Sequence, residues 1–186
     1  VNLKFSDAQQ KQENQIKALR SFLAQGVDVI AFSPVVETGW EPVLKEIKAA
    51  GIPVVLSDRA VSASDDSLYV TFIGSDFTEE GRNAAKWLAK KTDGKATIVE
   101  LVGTPGSAPA IDRKKGFEEI IKADPKFKII RSQTGDFTRA KGKEGMPLPE
   151  SAFTDGDLVR RTIEILARSR DIRPADDTAT PIEELD

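Results

Sequence analysis

Over residues 1–140, short apolar runs alternate with longer segments of helical period. This points to an α/β fold, an open and doubly wound parallel sheet of Rossmann-like type. Two details strengthen the reading. The run 27–32 is almost continuously apolar, as a strand covered on both faces is. Most of the strand-like runs are separated by helical segments, so they are not hairpin partners, and their connections are right-handed crossovers.

The elements follow in order. Val1, Leu3 and Phe5 alternate with polar residues, so 1–6 reads as a strand. Residues 8–25 read as a helix with Ile16, Leu19, Phe22 and Leu23 on one face, Asp7 as its N-cap and Gly26 as its C′ residue. A strand over 27–32 leads to a helix over 40–50, closed by Gly51. Strands are expected over 53–56 and 69–73, then a helix over 77–91, a strand over 97–102, a helix over 111–123 and a strand over 128–132. Past Glu144, Gly145-Met146-Pro147-Leu148-Pro149 breaks the pattern. A helix over 154–169 carries Leu158, Val159, Thr162, Ile163 and Leu166 on one face, and residues 171–186 are polar, acidic and turn-rich.

Composition removes whole classes of chemistry. The 186 residues, 39% apolar and 31% charged, suffice for one α/β domain or two small lobes. There is no cysteine and no histidine, which excludes disulfides, thiol nucleophiles, Cys/His zinc sites and imidazole triads. Neither a cofactor nor a metal is expected. A net charge of −3 argues against a broad nucleic-acid-binding surface, so no nucleic-acid partner is expected. No run of about 18 apolar residues is present to span a membrane as a helix. The opening Val1-Asn2-Leu3-Lys4 has no signal-peptide pattern, so any export signal is expected to be absent from this chain.

In parallel sheets, ligands gather where loops converge at the carboxyl ends of strands. Those loops offer Asp7, Gln9, Ser33, Glu37, Trp40, Asp58, Arg59, Ser75, Asp76, Asp136 and Phe137. Asp58-Arg59 places acceptors and forked donors in one small volume, which suits a polyhydroxylated ligand. The alternative is a strand-end ion pair capping a neighbouring helix. Arg113 is expected to open a helix, where the dipole opposes a cation; a functional role and an exposed pairing with Glu100 or Asp112 both remain open. Phe137 and Trp40 are candidate platforms for the apolar face of a sugar ring, or loop residues packing on the core. Gly103-Thr104-Pro105-Gly106 lacks the ending of a P-loop and reads as a turn. The acidic pairs Glu79-Glu80 and Glu118-Glu119 read as solvated helix faces.

Several segments then carry a family likeness. Asp7-Ala8-Gln9-Gln10-Lys11-Gln12-Glu13-Asn14-Gln15-Ile16, Pro34-Val35-Val36-Glu37-Thr38-Gly39-Trp40-Glu41-Pro42, Leu56-Ser57-Asp58-Arg59, Ile111-Asp112-Arg113-Lys114-Lys115-Gly116-Phe117 and Gly135-Asp136-Phe137-Thr138-Arg139 occur in the order of the family. Over residues 1–144 the chain resembles type I periplasmic sugar-binding proteins of ABC transporters, in their galactofuranose- and ribose-binding branch. The resemblance implies two Rossmann-like lobes joined by a hinge, a sugar such as a furanose or pentose clamped between them, no catalysis, a permease partner and a periplasmic location. It implies first-lobe sugar contacts from Asp58 and Arg59, with Ser33, Glu37 and Trp40 in a further contact loop. Ser75 and Asp76 match the first hinge crossing, Ser75 at a sugar-contact position. Arg113 matches the second-lobe arginine of an Arg-x-x-Gly-Phe motif, and Phe137 an aromatic stacked on the ring.

The same comparison of patterns divides the chain into a first-lobe segment over 1–75, lacking the family's first strand and helix, and a partial second lobe over 76–144. A tail over 145–186 matches nothing in the family, and the Asn-Asp and Asp-Gly motifs of the complete second lobe are missing. Uncovered strand edges suggest a homo-oligomer or swapped dimer. Other readings are a truncated, chimeric or engineered fragment without retained activity, or the effector domain of a LacI-type regulator. The latter needs a helix-turn-helix that this sequence lacks.

Overall fold

Three strands line up parallel in chain order: β1 (Ile30–Phe32), β2 (Val54–Ser57) and β3 (Thr71–Ile73). Ile30 pairs with Val54 and Phe32 with Leu56, while Val55 pairs with Thr71 and Ser57 with Ile73. The computed structural model describes residues 1–145, so the helix expected over 154–169 and the acidic stretch after it lie outside the described residues. Helix α1 (Gln12–Ala24) precedes β1 and α2 (Glu41–Ala49) crosses from β1 to β2. Only a 3₁₀ turn, Asp66–Leu68, lies between β2 and β3. A second parallel sheet pairs β4 (Ala96–Val102) with β5 (Phe127–Thr134), connected by α4 (Ala108–Ile121). Helix α3 (Phe77–Lys91) leads into β4, and α5 (Arg139–Glu144) follows β5. The parallel α/β class is as the sequence indicates, with the strands divided between two sheets.

Apolar periodicity explains the packing. Val43, Leu44 and Ile47 of α2 meet Leu19, Ile30, Val54 and Leu56 in one buried cluster. Fully burying such an aliphatic side chain contributes about 1.5–3 kcal/mol relative to exposure. A second cluster joins Ala84, Ala85 and Leu88 of α3 to Phe117 and Ile121 of α4 over Ala96 and Ile98 of β4. Helices α3 and α4 touch backbone to backbone at two glycines. A Cβ on Gly81 would sit 2.1 Å from the Arg113 carbonyl oxygen, and one on Gly116 would sit 1.9 Å from that of Thr78. No side chain fits at this crossing.

Three expectations need correction. Residues 1–6 form no strand; Val1, Leu3 and Phe5 stand in solvent, and no described strand pairs with them. Alternation alone supplies no ladder partner, and an extended segment without one leaves its backbone groups to water. Asp7 does not cap α1, which starts at Gln12 after Lys11; its carboxylate instead accepts from the Gln9 amide at 2.7 Å, within a turn where Gln9 and Gln10 have positive φ. Helix α4 begins at Ala108 with a proline in its first turn, so Arg113 lies in the second turn, beyond the reach of the end dipole.

Candidate functional site

Immediately after β2 the chain turns within one residue. The Asp58 amide donates to Ile73 O at 2.8 Å, the Arg59 amide donates to Ser57 O at 2.7 Å, and Asp58 takes φ +65°. An aspartate tolerates this left-handed conformation better than most residues. Arg59 is largely buried, and its Nη1 donates to Val35 O at 3.2 Å. The Asp58 carboxylate lies 3.7 Å from Arg59 Nε and is mostly exposed. Donors and acceptors therefore stand side by side at the strand end.

A second tight turn follows β5. The Thr138 amide donates to Gly135 O at 2.9 Å, and Asp136 and Phe137 between them both have φ +51°. Two successive left-handed residues are the signature of a type I′ turn, which favours glycine and asparagine. Holding phenylalanine there costs on the order of 1–3 kcal/mol. Neighbouring bonds keep the turn in place: Gly135 N donates to Val102 O at 2.7 Å, and Thr134 Oγ1 donates to Gly103 O at 2.8 Å. Lys141 Nζ lies 2.7 Å from Asp136 and holds its carboxyl below the ordinary range.

The two turns meet. The Arg59 guanidinium carbon lies 5.5 Å from the centroid of the Phe137 ring, within cation–π range. The ring tip rests on Gly103, where an added Cβ would lie 2.0 Å from it, and half of Phe137 remains exposed. The loops after β1 and β4 join as well, with the Glu37 amide donating to Gly106 O at 2.9 Å.

Behind Phe137, a cavity of about 70 Å³ opens between α3, α4 and β4, lined by Phe137, Gly103, Arg113, Glu80 and Glu100 among others. Arg113 Nε donates to Glu80 Oε2 at 2.7 Å, and its guanidinium carbon sits 4.5 Å from the centre of the Phe77 ring. Glu100 is buried and satisfied by Lys114 Nζ at 2.5 Å and Ser132 Oγ at 2.6 Å. Burial works against the Lys114 charge, yet Glu100 and Glu118 together raise its pKa.

The structure gathers Asp58, Arg59, Phe137 and Arg113 around one region and sorts the other candidates differently. Trp40 is a core residue rather than a platform. It is 1% exposed, its ring lies 5.2 Å from that of Phe32, and its Nε1 donates to Val36 O at 2.7 Å. Asp76 caps α3 by accepting from the Glu79 amide at 2.9 Å. Ser75 is exposed beside it, and Ser33 is exposed with its carbonyl held by Gln15 Nε2 at 2.7 Å. Glu37 enters through its backbone, donating to Gly106 and accepting from the Ser62 amide at 2.6 Å. Arg113 pairs with neither Glu100 nor Asp112, and Glu80 is no solvated-face residue: its side chain is 21% exposed against Arg113. Sequence reasoning missed Glu80 and Phe77. Their signal was the spacing that puts both in the first turn of a helix opposite the Arg-x-x-Gly motif.

A family model described as a periplasmic binding protein domain matches residues 1–147. The galactofuranose-binding protein YtfQ of Escherichia coli is 60% identical over 147 residues, covering 78% of this chain and 46% of that protein. The ribose import binding protein RbsB of Bacillus subtilis is 32% identical over 158 residues, covering 81% of this chain and 50% of its own length. Among solved structures, the binding component of the arabinose ABC transporter from Shewanella sp. ANA-3, bound to α- and β-L-arabinofuranose, superposes with a TM-score of 0.73 at 64% identity. That match covers 76% of this chain and 47% of the other. The chain thus spans about half the length of the relatives it matches.

Proposed function

Because this chain belongs to the periplasmic binding protein domain family, we propose that it binds a neutral sugar in furanose form, without catalysis, as part of a solute-binding protein that serves an ABC permease in the periplasm. The observation that carries this reading is the approach of Arg59 to Phe137, which aligns forked donors beside a half-exposed aromatic face. A furanose offers the complement, hydroxyls that both donate and accept and an apolar ring face. Asp58 supplies an exposed acceptor next to Arg59, and Arg113 supplies donors from the cavity behind. The kinship with galactofuranose- and arabinofuranose-binding proteins supports the ring size.

In this reading residues 1–75 and 76–144 belong to two lobes, Ser75 and Asp76 mark the first hinge crossing, and the sugar lies between Asp58-Arg59 and Phe137-Arg113. Uncovered strand edges support association with a second copy: among the described residues β1 pairs only with β2, and β5 only with β4. A single monomeric mass in solution would remove that part of the proposal. Binding is tested by calorimetric titration with L-arabinose, D-galactose and D-ribose. Heat that saturates for the parent chain and disappears in Arg59→Ala is the expected result. An Arg59→Ala variant that binds as the parent does would place the sugar elsewhere.

A further inference from the structure

Arg113 is held from several directions by α3. Its carbonyl lies against Gly81, its guanidinium rests on the Phe77 ring, and its Nε is consumed by Glu80 at 2.7 Å. Among the described residues, no hydrogen bond or ion pair engages its two terminal nitrogens. Both side chains are mostly buried, 23% and 21% exposed, and both line the cavity behind Phe137. From this geometry we infer that Glu80 is the positioning residue of the site: it fixes the Arg113 guanidinium edge-on, with the Nη pair turned to the ligand, and offsets its charge. The inference rests on the sugar-binding reading above and adds a discriminating role to it. A guanidinium whose charge is already countered by a carboxylate still donates two hydrogen bonds to hydroxyls. It has lost much of its attraction for a carboxylate or phosphate. The pair thus selects neutral sugars over their acids, and it does so from a helix that itself need not touch the ligand.

The test uses the full chain with D-galactose as the neutral probe and D-galacturonate as its anionic counterpart, each titrated calorimetrically. Glu80→Ala releases the guanidinium and is expected to weaken D-galactose binding about tenfold, the loss of one charge-assisted hydrogen bond. Glu80→Gln keeps an acceptor of the same reach without the charge. It should hold D-galactose affinity to within about threefold while raising the galacturonate-to-galactose affinity ratio at least about fivefold. Thermal unfolding without sugar checks that each variant is folded; the near-isosteric Glu80→Gln keeps the test decisive should Glu80→Ala not fold. Parent-like D-galactose affinity in Glu80→Ala, or an unchanged ratio in Glu80→Gln, overturns the inference while leaving the sugar site standing. A parent chain that binds no sugar overturns the functional reading itself, and this inference with it.

Discussion

Arg59 and Phe137, supplied by the turns after β2 and β5, meet with the guanidinium carbon 5.5 Å from the ring centroid. Each sits in or beside a left-handed turn, Asp58 at φ +65° and Phe137 itself at φ +51°. The contact joins loops from two different sheets, so each side chain aims the other. Removing Arg59 should abolish sugar heat, as above, and lower fold stability in urea unfolding by about 1–3 kcal/mol, because the largely buried side chain also leaves the Val35 carbonyl without its donor.

Phe137 holds a conformation that favours glycine. Phe137→Gly is therefore expected to relax the turn and leave the thermal midpoint equal to or above that of the parent, while sugar affinity falls at least about tenfold with the lost ring. Differential scanning calorimetry and titration on the same sample separate the two effects. A variant that loses midpoint and keeps affinity would make the ring a structural plug.

At the crossing of α3 and α4, Gly116→Ala should be severe. Its Cβ would need to occupy space 1.9 Å from the Thr78 carbonyl oxygen, so the helices must part. We expect a loss of about 2–4 kcal/mol in urea unfolding, with the Glu80–Arg113 bond disturbed as well. A mild effect would mean the helices separate at little cost.

Trp40 separates core from site. Trp40→Ala should cost about 3–5 kcal/mol, since a fully buried aromatic leaves a cavity. Trp40→Phe, which keeps most of the volume, should retain parent-like sugar affinity. Loss of affinity in a folded Trp40→Phe variant would return this residue to the ligand's surroundings.

The dependence on pH follows from the ion pairs. Lys141 holds Asp136 below its ordinary range, and Lys122, with Lys114, does the same for Glu118. A carboxyl whose folded pKa lies below its unfolded one contributes stability above the unfolded value, and that stability is lost as pH falls through the folded value. Lys114 and Lys141 are raised, so their contributions are complete below the ordinary lysine value of about 10.4 and decay only above it. With no histidine in the chain, urea midpoints should be flat between about pH 6 and 9, decline below about pH 4 and decline again above about pH 10.5. A step near pH 6.5 would contradict the scheme.

Much of this architecture was legible because it is local. Helix α3 runs Phe77–Lys91 as its apolar period indicates, and Gly26 and Gly51 end α1 and α2 with positive φ. The meeting of Arg59 with Phe137 follows from a positional rule, that the loops just past parallel strands converge at one end of the sheets. What failed was non-local. The run 1–6 has a strand's alternation without a partner, and Trp40 turns inward only because Phe32 and the Val36 carbonyl await it. Glu80 looked like half of a solvated pair because its cation arrives from another helix, across two glycines whose role shows only once the helices are packed.

A crystal structure of the chain grown with saturating L-arabinose tests the sugar site most directly. We expect the sugar ring against the exposed face of Phe137, with hydroxyls within about 3 Å of the Arg59 and Arg113 guanidinium nitrogens. Sugar bound away from all three side chains, or none between the turns after β2 and β5, would contradict the account.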